Sequence, residues 1–426
     1  MAEQSGAERP GTAGGLESPA HLAWLDAERE RLFTFAAASE WPGGFGWQSS
    51  NGAVDPEHPM ELWITCRMTH VFALGALQGW PGADALVDHG LAALNGGFRD
   101  REYDGWFASI SAAGPVDAGK AAYQHAFVVL AASSAVAAGR PGAPELLAAA
   151  LAVHERWFWR EADGMVVDAW DRTWSTLDAY RGVNANMHTV EAYLAASDAT
   201  GDPIWRDRAA RIAGRVLGWA KGNQWRIPEH FDAGWQALLE YHHDRPADQF
   251  QPYGATIGHG LEWSRLCLHL AAAIEAAASD DGAPAGGAGP AELREGAVAL
   301  FDRSVADGWA VDGAEGFVYT TDWSGKPVVR TRLHWVVNEA TNAAAALWSV
   351  TGDPRYDKLY QEWWAYAERY LIDRVDGSWR HELDERNLPA ASVWPGKPDA
   401  YHAVQATLVP QLPLAPSFAF ALRAAR

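Results

Sequence analysis

The chain has 426 residues, 48% of them hydrophobic, a formal charge of −20 and a pI near 5.1. That acidity, with no basic run anywhere, argues against a nucleic-acid or anionic-membrane partner, because phosphate binding needs clustered Lys and Arg. Two cysteines, Cys66 and Cys267, are too few for a disulfide framework and lack metal-ligand spacing, and no apolar run approaches the ~18–20 residues of a membrane span.

Residues 1–18 are rich in Gly, Ala, Glu and Ser, which predicts a disordered tail. They carry neither the cationic start nor the apolar core of a signal peptide, so a soluble cytoplasmic protein is expected. Amphipathic segments follow at 20–39, 61–78, 82–96, 118–138, 143–161, 184–199, 203–221, 256–277, 291–307, 334–350, 354–372 and 400–423, each with apolar residues at helical spacing. Glycine-bearing signals recur between them: Gly44-Phe45-Gly46-Trp47, Asp104-Gly105-Trp106, Asp163-Gly164-Met165, Ala233-Gly234-Trp235, Glu315-Gly316-Phe317 and Asp376-Gly377-Ser378. After each comes a helical run whose first turns carry polar residues. These sets are Trp63/Arg67/His70, Tyr123/His125, Asn184/His188/Glu191, His259/Glu262, Glu339/Asn342 and His402/Gln405.

Two junctions nearly repeat, Thr200-Gly201-Asp202-Pro203 and Thr351-Gly352-Asp353-Pro354. Gly ends one helix, Asp caps the next and Pro fills its first turn, so each reads as a tight helical hairpin. The stretch 316–328 alternates apolar and polar residues around an Asp-Trp-Ser-Gly turn and reads as a short β-hairpin. Residues 279–290 read as a flexible surface loop. Alternating short and long connections predict an all-α (α/α)6 barrel, one catalytic domain over 19–426, with the β-hairpins in the long connections at the active-site end.

The chemistry is expected at that end. His188/Glu191 and His259/Glu262 are spaced i, i+3, so each carboxylate shares a helix face with its imidazole and can set its pKa and tautomer. Arg67 could grip hydroxyls or oxyanions, or pair with a buried glutamate. Asp399 is placed to cap a last inner helix that carries His402 and Gln405 in its first turns. His188, Glu191, His259, Glu262 and His402 could ligate a divalent ion, but nothing in the spacing supports it, so neither metal nor cofactor is expected. There are 23 Trp, whose faces can stack on sugar C–H surfaces. Several histidines backed by Glu and walled by Trp suggest acid–base chemistry on a neutral polyol; a carboxylate pair alone would suggest glycoside hydrolysis.

These motifs resemble the N-acylglucosamine 2-epimerase superfamily. The resemblance rests on Arg67 with Trp63, Lys120–Phe127, Asn184–Ala192, Gly258-His259-Gly260-Leu261-Glu262-Trp263, and Trp335 with Glu339-Ala340. The ending Tyr401-His402-Ala403-Val404-Gln405 is similar to the D-mannose isomerase and sulfoquinovose isomerase branch. The sulfonated-sugar members carry an additional Arg where this chain reads Gln249-Phe250-Gln251-Pro252, so a neutral hexose is implied. The resemblance implies metal-independent interconversion of D-mannose and D-fructose, with D-lyxose as a related aldose, through a cis-enediol. The alternatives are 2-epimerisation of mannose, glucose or N-acylglucosamine, and sulfoquinovose isomerisation.

In the implied mechanism the open aldose lies under Trp63 and Trp394, held by Arg67, Tyr123, Asn184, Glu262, Glu339 and Gln405. His402 moves the proton between carbons 2 and 1, and His259, oriented by Glu262, opens the ring and shuttles the hydroxyl proton. His188 and Arg67 steady the oxyanion. Activity is expected to rise through pH ~6–7, near the ordinary His pKa. The partner is a small sugar, and the chain a monomer or homodimer.

Overall fold

The structure, a computed structural model, describes residues 14–277 and 287–426. Thirteen α-helices are present among them: α1 Pro19–Ala37, α2 Leu62–Leu77, α3 Ala83–Asn95, α4 Ala122–Ala137, α5 Ala143–Val153, α6 Val183–Thr200, α7 Pro203–Gly222, α8 Ile257–Ala277, α9 Pro290–Gly308, α10 His334–Thr351, α11 Pro354–Tyr366, α12 Tyr401–Leu408 and α13 Phe418–Ala424. Of the expected tail and loop, residues 1–13 and 279–286 lie outside the described residues. The described ends of both are packed: Leu16 donates its N–H to Asp357 Oδ1, and Ala288 donates its own to the Ala210 carbonyl.

The even helices α2 to α12 touch in sequence, and α12 returns to α2, which closes an inner ring. Every residue of α2 is buried, the mark of a helix surrounded by protein. Helices α1, α3, α5, α7, α9 and α11 each pack outside a ring member. The chain is an (α/α)6 barrel. Among the described residues no helix is long and apolar enough to cross a membrane.

Local chemistry agrees with the tight junctions. Asp202 accepts from the Ile204 N–H at 3.0 Å and Asp353 from the Arg355 N–H at 2.9 Å, each with Pro in the first turn. Gly201 and Gly352, at φ 71° and 65°, end the preceding helices in the left-handed region where a Cβ would be strained. The last predicted helix, 400–423, is corrected. It stops at Leu408, passes through a 3-10 turn, and resumes only at Phe418. Pro410, Pro413 and Pro416 lack the N–H that an α-helix needs, so the run cannot continue.

The other end of the ring is built by one repeated device. Asn51, Ser111, Asp171, Asp232, Asp322 and Asp384 each sit at a loop turn, their side chains accepting backbone N–H groups within the next four residues. Three residues before each lies a backbone carbonyl that takes an N–H from the preceding repeat. Ala108, Asp168, Glu229, Tyr319 and His381 accept from Leu62, Ala122, Val183, Ile257 and His334, the first residues of inner helices. Gln48 accepts from Lys397 and closes the circle. Helices α2, α4, α6 and α10 lack side-chain caps of their own here, so this band of hairpins satisfies the first backbone donor of each and fixes its end.

Candidate active site

Inside that band the inner-helix ends surround a pocket of about 540 Å³. Arg67, Tyr123, Asn184, His188, His259, Glu262, Trp335 and His402 reach it from the first two turns of their helices. Gln249, Phe250, Tyr319, His381 and Trp394 reach it from the loops. Phe250 stands edge-on to Trp63, Tyr123 and Trp394, with ring centroids 6.0, 5.8 and 5.5 Å apart, and so roofs the pocket with an aromatic edge.

Two imidazoles stand beside Trp335, whose ring lies 5.5 Å from that of His259 and 5.8 Å from that of His402. His402 Nδ1 is 2.9 Å from Glu339 Oε1, and His259 Nδ1 is 3.0 Å from Glu229 Oε2. A carboxylate only accepts, so each Nδ1 carries hydrogen and each neutral ring presents the Nε2 lone pair as its base. The expected orientation of His259 by Glu262 is therefore corrected: Glu229 from a hairpin holds the ring. Glu262 lies one helical turn deeper, with Oε1 3.6 Å from Arg265 Nη2 and 3.8 Å from His188 Nδ1.

Beneath the pocket the polar groups are wired to one another. Glu339 Oε2 accepts from Arg265 Nε at 2.9 Å, and Gln405 Nε2 donates to Glu191 Oε1 at 3.0 Å. The Tyr401 hydroxyl donates to the other Glu191 oxygen. Glu339 and Gln405, expected to touch substrate, are both fully buried and do not line the pocket; they support His402 and Glu191 from behind. Trp63 likewise backs the Arg67 guanidinium, 5.0 Å from its ring centroid, and borders an outer vestibule instead. Arg67 pairs with Asp399 Oδ2 and donates to the Tyr123 hydroxyl, both at 3.2 Å. Its partner is thus the aspartate that also accepts the Tyr401 N–H, not a glutamate. His70 and His125 point elsewhere, to Ser134 and to the backbone of Ala121 and Trp106.

Burial and charge divide these groups. Burial, then the charges of Glu339 and Glu191, push the Glu262 carboxyl well up, which favours the protonated form that can donate. Burial would also raise Glu339, but Arg265 and His402 outweigh it and keep it ionised. Burial lowers His402 against the upward pull of Glu339, and brings His188 to about 4, so both rings are neutral at pH 7. Burial works against the Arg67 charge, but Tyr123 and Asp399 more than restore it.

Among the described residues, His188/Glu191/Glu262 and Glu262/Glu339/His402 bring ligand atoms within 4.8 Å of one another. Arg265 already stands against both sets, 2.9 Å from Glu339 and 3.6 Å from Glu262, where a divalent ion would meet a fixed positive charge.

Sequence reasoning missed Glu229 and the pocket face of Tyr319 and His381. The signal was present. Each stands three residues before a turn aspartate, a register repeated around the ring.

The N-acylglucosamine 2-epimerase (GlcNAc 2-epimerase) family model matches residues 43–406. A D-mannose isomerase of Thermobifida fusca is 54% identical over 95% of this chain and 97% of its own length. Another, of Pseudomonas cannabina pv. alisalensis, is 48% identical over 96% of both. A crystal structure of a D-mannose isomerase superposes with a TM-score of 0.83 at 26% identity, over 92% of this chain and 99% of that one.

Proposed function

The chain belongs to the N-acylglucosamine 2-epimerase family and is an isomerase, and from that premise we propose that it interconverts D-mannose and D-fructose without a metal. The observation that carries the chemistry is the pair of imidazoles, His259 and His402, each held at Nδ1 by a carboxylate and flanking one pocket. Two bases lining one small pocket suit a reaction that moves one proton on carbon and another on oxygen.

In this reading His402 Nε2 takes the proton from carbon 2 of the open aldose. The C–H pair becomes the carbon 1–carbon 2 double bond, and the carbonyl pair moves to oxygen 1, which is protonated to give a cis-enediol. The oxygen 2 proton then leaves, the carbon 2 carbonyl forms, and His402 returns its proton to carbon 1. His259, backed by Glu229, moves the oxygen protons and opens the ring. Arg67, neutral His188 and protonated Glu262 stabilise charge on the oxygens as it develops. Tyr123, Asn184 and Trp394 position the chain of hydroxyls, with Trp335 beside the two bases.

A neutral sugar is favoured because Arg67, the cation lining the pocket among the described residues, is already paired with Asp399. Arg245, the nearest sequence cation to Gln249, is bound instead to His242. The arrangement also supports 2-epimerisation, where the proton returns to carbon 2 from the other face.

Incubating EDTA-treated protein with D-mannose in deuterated water, followed by NMR, separates these readings. The isomerase gives fructose first, with deuterium at carbon 1. Glucose first, deuterated at carbon 2, would replace it with an epimerase. Loss of turnover that Mn²⁺ or Mg²⁺ restores would overturn metal independence.

A further inference from the structure

A second cavity lies along the barrel axis on the far side of the wired layer. Glu191 and Arg265 form its inner wall, α2, α4, α6 and α8 its sides, and the Leu414–Ala419 segment its outer wall. Asp198, Ala273, Leu414 and Ser417 are half-buried and mark where it meets solvent.

Its chemistry differs from that of the sugar pocket. Leu130, Leu194, Leu266, Leu414 and Phe418 make most of its surface apolar. Two histidines stand among them. His269 Nδ1 lies 2.7 Å from the Leu414 carbonyl, which only accepts, so Nδ1 carries the hydrogen and Nε2 is a lone pair. Burial and Arg265 push this ring down to about 3, so it is neutral. His70 Nδ1 lies 2.7 Å from Ser134 Oγ, and burial brings that ring to about 4. Neither Nε2 has a hydrogen-bond partner among the described residues, and both histidines are more than nine-tenths buried. A buried acceptor left without a donor costs about 1–3 kcal/mol, so His269 Nε2 calls for a group that donates; the Ser134 hydroxyl can donate or accept and does not fix the His70 tautomer.

We propose that this chamber is a binding site for a small neutral molecule with an apolar body and one hydroxyl, a phenol or cyclic alcohol, whose O–H donates to His269 Nε2. A sugar does not fit the chemistry, because its remaining hydroxyls would be stranded against leucines. An anion would face Glu191 and Asp198, and a cation Arg265. The occupant lies next to the active site, since Arg265 grips the Glu339 that holds His402.

The test is a titration with phenol, followed by calorimetry, on wild type, on Ala273→Leu, which fills the chamber from its rim, and on His269→Leu, which removes the acceptor. Saturable binding to wild type at about 1 mM or tighter is expected. Saturating fructose should leave it unchanged, and each variant should weaken it by about tenfold or more. No saturable binding, displacement by fructose, or wild-type affinity in a variant that melts as wild type would overturn the proposal. None of these readouts needs mannose turnover, so the result stands apart from the isomerase reading.

Discussion

The two ends of the inner ring carry the same residue types and do different things with them. At the hairpin end, His259 and His402 are each held by a carboxylate. At the far end, His70 and His269 are held by a hydroxyl and a backbone carbonyl, beside leucines. All four residues are more than nine-tenths buried. What separates a base from a packed ring is therefore the partner at Nδ1, because an ionised partner stabilises the imidazolium that forms as the proton arrives, and a neutral one does so far less.

Substitution at the two ends breaks or sharpens this contrast. Apart from His402 itself, the largest effect is expected for His259→Ala, which should lower kcat for ketose formation by about 10²–10⁴-fold in steady-state assays. Next come the two carboxylates, which should part company. Glu229→Gln loosens only His259, so turnover should fall by about 10–100-fold, the usual worth of an orienting carboxylate behind a histidine, with little change in Tm. Glu339→Gln also strands Arg265, and breaking a buried pair costs about 3–5 kcal/mol. The loss should sit near the lower figure, because Glu262, freed of the Glu339 charge that raises it, ionises and takes over Arg265. Chemical denaturation of the two variants side by side reads this directly.

The pH profile is a finer instrument. In the proposed mechanism His402 acts as a base only when neutral, so kcat should rise with pH through its pKa, which burial places below the ordinary histidine value. The acid limb should therefore lie below about pH 6.5, lower than the sequence alone suggests. Glu339→Gln removes the upward pull and should move that limb further down. A limb that moves up would contradict the assignment. The smallest effect belongs to the far end: His70→Asn should leave turnover within about twofold while costing about 1–3 kcal/mol of stability.

Much of this was legible in the chain. The Gly-Asp-Pro junctions, the alternation of short and long connections and the inner-helix positions of Arg67, His188, His259 and His402 follow from local rules that the fold obeys. The split of the last helix was also written there, in Pro410, Pro413 and Pro416, but helical spacing of the surrounding alanines and leucines masked it. The partners were harder. An i, i+3 pair on a helix shares a face but not a depth. Glu262 hangs one turn below His259, in the wired layer, while the carboxylate level with the ring comes from 30 residues away. Such a contact exists only once the hairpin of one repeat closes over the helix of the next.

The central claim is that His402 carries the proton between carbons 2 and 1. D-mannose deuterated at carbon 2 tests it, with fructose formation followed by wild type and by His402→Ala under saturating sugar. The account predicts a slower rate for the deuterated sugar in wild type, part of the label carried to carbon 1 of fructose, and in the variant sugar binding with no measurable loss of label. A variant that still moves the deuteron at a tenth of the wild-type rate or more would contradict it.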